Sequence, residues 1–257
     1  YEISGNGKKP LVLLHGFMED HTIWSDMESH FSKEFTLIKI DLSGHGKSEN
    51  NNAVNSMDFM AEKVKEVIEK LNLNKINILG HSMGGYVSLA FAEKFPESIE
   101  SLTLFFSTTL ADDEEKKQIR RRSIAVIDEN FETFVNASIP NLFSNNEKDI
   151  LEGKIELAKK IAKSTNKEGV KAAQLGMAER PDRTEILEKL EAKILIIAGK
   201  YDNAVKTENL LKALPDKTNI KTYVLDCGHC GHWEKPTICA EIINTELLHN
   251  LPKKLVF

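Results

Sequence analysis

A serine hydroxyl becomes a useful nucleophile when a base takes its proton and a third group orients that base. The segment Gly80-His81-Ser82-Met83-Gly84-Gly85 presents such a serine. The apolar run Ile76-Asn77-Ile78-Leu79 leads into it and a helical pattern follows, which is the strand-turn-helix setting of a Gly-x-Ser-x-Gly elbow. Glycines on both sides of the serine relieve collisions that side chains would make in so sharp a turn, and the turn lifts the hydroxyl clear of the sheet. A tight loop without chemistry has the same pattern, so the partners decide.

Both partners are present further along the chain. Asp202 follows the apolar run Ile194-Leu195-Ile196-Ile197-Ala198 within Gly199-Lys200-Tyr201-Asp202, at the carboxyl end of a predicted strand, where ligands bind to sheets of this type. The stretch from Asp202 to His229 has room for one helix, around Asn209 to Leu214, and one strand, Thr222 to Leu225, so the histidine returns to the same sheet edge. Two histidines compete within Cys227-Gly228-His229-Cys230-Gly231-His232. His229 leaves the strand directly after a glycine, whereas His232 lies closer to the helix that Pro236 opens, and His229 is the expected base.

Acyl transfer also needs donors aimed at an oxyanion. The backbone N–H of Met83, the residue after the serine, is one candidate. The second is the N–H of Phe17 in His15-Gly16-Phe17, which follows the run Leu11-Val12-Leu13-Leu14. His15 itself reads as a structural turn residue. Cys227, His229, Cys230 and His232 are all possible metal ligands, but structural zinc sites draw ligand pairs from two separated segments, so neither a metal nor a cofactor is expected.

The elements that must position these residues alternate. Short runs, including Thr36-Leu37-Ile38-Lys39-Ile40 and Leu102-Thr103-Leu104-Phe105-Phe106, are apolar on nearly every residue and predict strands buried on both faces. Helical spacing at Phe59, Val64, Val67, Ile68 and Leu71 predicts a covering helix, and together these imply an α/β fold with a mostly parallel sheet flanked by helices. From 108 to 190 no strand-like run occurs. That stretch predicts an all-helical lid inserted into a core of 1–107 and 191–257. Asp112 to Glu115 precede Arg120, Arg121 and Arg122, the charge order that complements a helix macrodipole, and Ser144, Thr165 and Asp182 each precede a glutamate at cap spacing. Ile124, Val126, Ile127, Phe131, Phe134, Leu142 and Phe143 are candidates for an acyl pocket, although helical spacing favours packing of the lid onto itself.

At 41% hydrophobic and 28% charged residues the composition is that of a globular chain. A formal charge of -5 argues against nucleic acid and anionic membrane and for a small-molecule ester substrate. An odd count of 3 cysteines, no bilayer-length apolar run and no visible signal peptide suggest a cytoplasmic setting, though the first residue, Tyr1, leaves the natural start open. Oligomeric state is not legible.

Taken together, His15-Gly16-Phe17, Asp41-Leu42-Ser43-Gly44-His45-Gly46-Lys47-Ser48, the elbow, Gly199 to Asp202, and Gly228-His229 with Glu234 and Pro236 make the chain resemble the α/β-hydrolase superfamily, in particular its small esterase-like members with a helical cap. The resemblance implies a Ser82, Asp202, His229 triad acting through an acyl-enzyme, and a mainly structural role for the Asp41 to Ser48 loop. Its Gly-His, four residues, Glu, one residue, Pro pattern also fits His229. A serine at the elbow argues against the branches that use aspartate there. Enol-lactonases, carbon-carbon hydrolases, a menaquinone-pathway synthase and ligand receptors share the constellation. The carbon-carbon hydrolases and the synthase act on carboxylate-bearing substrates and would want a lid arginine facing the serine. Arg120, Arg121, Arg122 and Arg180 are available, each more simply read as a solvated helix-end charge.

Overall fold

The computed structural model describes residues 1–248. The last residues of the predicted core segment, 249–257, lie outside the described residues. Elements run in the order β1 (Glu2–Ser4), β2 (Lys9–Leu14), α1 (Ser25–Glu28), β3 (Phe35–Ile40), α2 (Met57–Lys70), β4 (Ile76–His81), α3 (Met83–Lys94) and β5 (Ile99–Phe105). The helices α4 (Glu114–Ser138), α5 (Glu152–Ser164), α6 (Lys167–Glu179) and α7 (Thr184–Lys189) follow, then β6 (Lys193–Gly199), α8 (Thr207–Ala213), β7 (Ile220–Leu225), α9 (Gly231–Glu234) and α10 (Pro236–Leu248).

Among the described residues the strands form one sheet in the order β1-β3-β2-β4-β5-β6-β7. Pairing is parallel throughout except for β1, which lies antiparallel against β3. Strand alternation divides the interior into two layers: Leu11, Leu13, Leu79, Phe105, Leu195 and Ile197 face one, while Val12, Leu14, Ile78, Leu104, Ile194 and Ile196 face the other. Helix α2 buries Met57, Met60, Ala61, Val64 and Ile68 at steps of three and four, with the Ser56 hydroxyl accepting the Phe59 N–H at 3.1 Å as its cap.

Between β5 and β6 every regular element is helical. Helix α4 is capped by Asp113, runs for 25 residues and kinks at Asn130, so Arg120 to Arg122 sit in its first half and not in a last turn. The expected caps at Thr165 and Asp182 each fall one residue early. Asn166 caps α6 through the Gly169 N–H, and α7 starts after Arg183, whose side chain makes no cap bond, although Asp182 accepts the Thr184 N–H at 2.8 Å. Ser144 heads a turn instead, and α5 begins only at Glu152. Arg183 fastens this segment to the sheet-covering helices, donating to Glu93 and Asp58 at 2.8 Å each. No helix among the described residues is long and apolar enough to cross a membrane.

Candidate active site

Strand β4 ends at His81, α3 starts at Met83, and Ser82 between them takes φ 50° and ψ −113°. A side chain held in that region costs about 1–3 kcal/mol. The surroundings enforce it. The Ser82 N–H donates to the Phe105 carbonyl at 3.1 Å, and the Ser82 carbonyl accepts from Ser107 Oγ at 2.8 Å and the Gly85 N–H at 2.9 Å. A Cβ on Gly84 would lie 2.6 Å from the His15 carbonyl oxygen, and one on Gly80 would overlap the Gly84 backbone, so only glycine fits at either place. Ser82 remains partly exposed in the wall of a cavity of about 620 Å³ that His229, Phe17 and Glu19 also line.

His229 and Asp202 meet as the spacing predicts. His229 Nδ1 lies 2.7 Å from Asp202 Oδ2, with both side chains buried. Asp202 Oδ1 accepts the N–H groups of Ala204 and Val205 at 2.8 Å each, so the carboxylate is fixed before it holds the ring. The base loop is clamped in turn. Glu234 accepts from the Gly228 N–H at 2.8 Å, the Cys230 N–H at 3.1 Å and the Ser144 N–H at 3.1 Å, which is the physical content of the Gly-His…Glu pattern. The His229 N–H itself donates to Leu142 at 2.7 Å, from the helical segment between β5 and β6.

The loop with the second oxyanion candidate lies against Ser82. A Cβ on Gly16 would come within 3.2 Å of Ser82 Cβ, and the Phe17 N–H follows immediately. Met83 opens α3, so its N–H belongs to the first turn, whose amides have no intrahelical acceptor. His15 is neutral and holds the turn. Its Nε2 accepts from the Leu42 N–H at 2.9 Å, its Nδ1 lies 2.7 Å from the Gly16 carbonyl, and burial lowers its pKa. The Asp41 to Ser48 loop is tied to itself, the Lys47 N–H donating to Asp41 and Ser48 Oγ to the Asp41 carbonyl.

Two residues that the sequence did not single out are built into this floor. Glu19 is buried and accepts from the Gly16 N–H at 2.6 Å, and His81 Nδ1 lies 2.8 Å from the same oxygen. His81 Nε2 lies 3.0 Å from the His229 carbonyl. The only available signal was position: Glu19 in the turn after Phe17, and His81 at the variable place of the elbow.

The arginines divide. Arg120 and Arg180 line the cavity, with side chains 14% and 3% exposed, and both bond to buried Asp112. Arg120 Nε donates to Asp112 at 2.5 Å and its Nη1 to Gln174 at 3.0 Å. Arg180 donates to Asp112 at 2.9 Å and lies 3.9 Å over the Tyr86 ring. The solvated-charge expectation fails for these two, because Asp112 at the start of the helical segment draws them inward. Lys116 Nζ lies 3.8 Å from Asp112, so three cations surround one carboxylate. Of the seven apolar candidates only Phe134 and Leu142 line the cavity. Ile127 and Phe143 are buried elsewhere, Phe143 stacked on Trp233, and Val126 is exposed.

Cys227, His229, Cys230 and His232 do not converge as a ligand set. Among the described residues the group with ligand atoms within 4.8 Å of one another is Glu19, His81 and His232. Its geometry suits a proton: the Glu19 oxygen and His81 Nδ1 are 2.8 Å apart, whereas two ligands of a tetrahedral ion at about 2.0–2.1 Å stand about 3.3 Å from each other. The three cysteines are free and buried, and loss of hydration pushes their thiols up, that of Cys239 to about 12.

Residues 9–236 match the sequence model of the alpha/beta hydrolase fold family. The chain belongs to that family. Among solved structures, the chain is similar to a thermophilic esterase from Thermogutta terrifontis, solved with malate bound, at 32% identity and TM-score 0.89 over 96% of this chain and 92% of that one. It is 27% identical over 243 residues to the 2-hydroxy-6-oxononadienedioate/2-hydroxy-6-oxononatrienedioate hydrolase of Escherichia coli, covering 90% of this chain and 84% of the relative. It is also 27% identical over 253 residues to a putative 2-succinyl-6-hydroxy-2,4-cyclohexadiene-1-carboxylate synthase of Bacillus subtilis, covering 93% and 90%. Other curated relatives are longer: at 33% identity over 104 residues, the chain spans 30% of their length.

Proposed function

We propose that this chain is a serine hydrolase that cleaves small carboxylic esters through an acyl-enzyme. The observation that carries the proposal is the 2.7 Å contact of His229 Nδ1 with Asp202 in the wall of the cavity that exposes Ser82. In this reading Ser82 Oγ attacks the ester carbonyl and His229 Nε2 takes its proton, then returns it to the departing alcohol. The N–H groups of Phe17 and Met83 hold the oxyanion. Water activated by the same histidine releases the acid. The likeness to the Thermogutta esterase supports ester cleavage.

A refinement has its own observation. Arg120, Arg180 and Lys116 cluster around the single Asp112 carboxylate on one side of a cavity wall that also carries Glu19, Asp113, Glu115 and Lys206, and this local cluster favours an ester whose acyl part ends in a carboxylate, or the carboxylate-bearing substrate of a carbon-carbon hydrolase. The test is turnover of p-nitrophenyl esters of graded length beside p-nitrophenyl hemisuccinate. Short and medium esters are expected to be cleaved, with a lower KM for the hemisuccinate. Ser82→Ala is expected to lose turnover and fluorophosphonate labelling together. Labelling that survives in Ser82→Ala would overturn the nucleophile, and turnover only of carbon-carbon substrates would overturn the esterase reading.

A further inference from the structure

Glu19 and His81 are buried and bonded to each other, and the reaction proposed above uses neither. One Glu19 oxygen accepts from the Gly16 N–H at 2.6 Å and faces His81 Nδ1 at 2.8 Å. The other His81 nitrogen faces the His229 carbonyl oxygen at 3.0 Å. A carbonyl oxygen can only accept, so Nε2 carries a hydrogen. The Glu19 carboxyl is held ionised by the facing histidine and the Gly16 amide, and an ionised carboxylate can only accept, so Nδ1 carries one too. Both ring nitrogens are therefore donors, and the pair is an imidazolium facing a carboxylate. Three backbone segments meet on it: the loop before Phe17, the elbow at Ser82 and the loop bearing His229.

The rest of the His81 environment agrees. Phe105 and Phe106 pack beside it, with centroids 5.9 Å and 6.4 Å away and rings inclined at 63° and 64°. His229 and His232 lie at 5.0 Å and 4.6 Å. His232 is fully buried with no hydrogen-bond partner on either ring nitrogen among the described residues, and desolvation with the neighbouring His81 charge holds its pKa well below the ordinary value. Asp202 adds attraction from further off. Burial opposes the His81 charge, but Glu19 outweighs it, leaving the imidazole raised and the Glu19 carboxyl lowered to about 2.

We propose that Glu19 and His81 are positioning residues: their ion pair clasps the oxyanion loop, the nucleophile elbow and the general-base loop together, and doubly protonated His81 is the clasp on the His229 carbonyl. Loss of one proton from His81 leaves a lone pair aimed at an oxygen, either that of Glu19 or that of His229. The repulsion loosens one loop against Ser82. His81 then sets an alkaline limit on activity. The catalytic part of this inference rests on the triad reading of the preceding section.

The experiment compares pH profiles of kcat/KM for p-nitrophenyl acetate in wild type, Glu19→Gln, His81→Gln and His81→Ala, together with ¹⁵N-histidine NMR of the wild type, in which His81→Gln assigns the signal. The NMR spectrum is expected to show both His81 nitrogens protonated at neutral pH. His81→Ala is expected to lower kcat about 10- to 100-fold with little change in KM, the usual scale for a lost orienting partner. Glu19→Gln should move the alkaline limb to lower pH. His81→Gln, whose amide donates without titrating, should recover activity over His81→Ala and lack that limb. A singly protonated His81 at neutral pH would overturn the clasp, as would an alkaline limb unmoved in both Glu19→Gln and His81→Gln. The NMR result needs no turnover, so a wild type that cleaves no ester would overturn the esterase reading, while the spectrum still decides the state of His81.

Discussion

Replacing Asp202 by asparagine removes one charge and almost no volume, and the structure determines which way the new amide points. Oδ1 of Asp202 accepts two backbone N–H groups at 2.8 Å, while Oδ2 faces His229 Nδ1 at 2.7 Å. With its oxygen kept on the Ala204 and Val205 amides, the asparagine directs its NH₂ at Nδ1, which must then present a lone pair. The histidine proton moves to Nε2, the nitrogen that should be free to take the proton of Ser82. The flipped amide would restore the tautomer but set its NH₂ against two buried amide donors, costing about 1–3 kcal/mol for each donor left unpaired. The first orientation therefore wins by several kcal/mol. Asp202→Asn is expected to fold normally and to lose about 10⁴-fold in kcat, equivalent to about 5.5 kcal/mol of transition-state stabilisation. Initial rates on p-nitrophenyl acetate, with thermal melting as the folding control, measure this. A folded variant within 10-fold of wild type would refute the assignment of Asp202 as the orienting acid.

The competing histidines separate cleanly: His229→Ala should cost about as much kcat as Ser82→Ala, whereas His232→Ala, which removes a fully buried ring packed on Trp24 and Trp233, should show mainly as a lower Tm. The reverse pattern would mean that the base is His232. The native thiols should resist iodoacetamide until the protein unfolds, because all three are buried with raised pKa values; modification of Cys227 or Cys230 in the folded state would contradict their placement. His45 is buried and lowered to about 3 by desolvation and His15. Its unfolded form takes up a proton near pH 6.5, so its contribution is intact above that pH and is lost as pH falls from there toward 3. His45→Gln should accordingly show a flatter fall of Tm between pH 7 and 4 than wild type, and an equal or steeper fall would show that His45 is not held neutral.

Strands buried on both faces announce themselves, and the runs at 11–14, 36–40, 76–79, 102–106 and 194–198 each fall within a strand of the sheet or overrun it by one residue; the run at 222–225 also lies within a strand, the edge strand β7, whose residues are only partly buried or exposed. The edge strand β1 was illegible because three residues, two of them exposed, carry neither an apolar run nor a full alternation. Cap positions slipped where a neighbour competed: Asn166 offers the same side-chain acceptor as Thr165, one residue nearer the helix. In the site, spacing brought Ser82, Asp202 and His229 to one sheet edge, since each leaves the carboxyl end of a strand. It failed for Arg120 and Arg180, whose direction depends on where the chain buries Asp112, and for Glu19, an acid in a polar-looking turn. Tertiary placement alone made these three informative.

The same contrast explains how the elbow keeps its strained serine. A residue at φ 50° survives only if alternatives cost more than the 1–3 kcal/mol or so of strain. Ser82 cannot relax into the helix without giving up its N–H bond to Phe105 on the neighbouring strand, and its carbonyl would have to leave Ser107 and the Gly85 amide. Three bonds at about 1 kcal/mol each match the strain, and the close approach of Gly84 to the His15 carbonyl leaves no room for the backbone to swing aside. Ser82 is thus held by Phe105 at the end of β5, by Ser107 just beyond it and by the His15 loop, as well as by the first turn of α3. Changes at Ser107 or Gly84, neither of which touches substrate in the proposed reaction, act on the hydroxyl through that backbone.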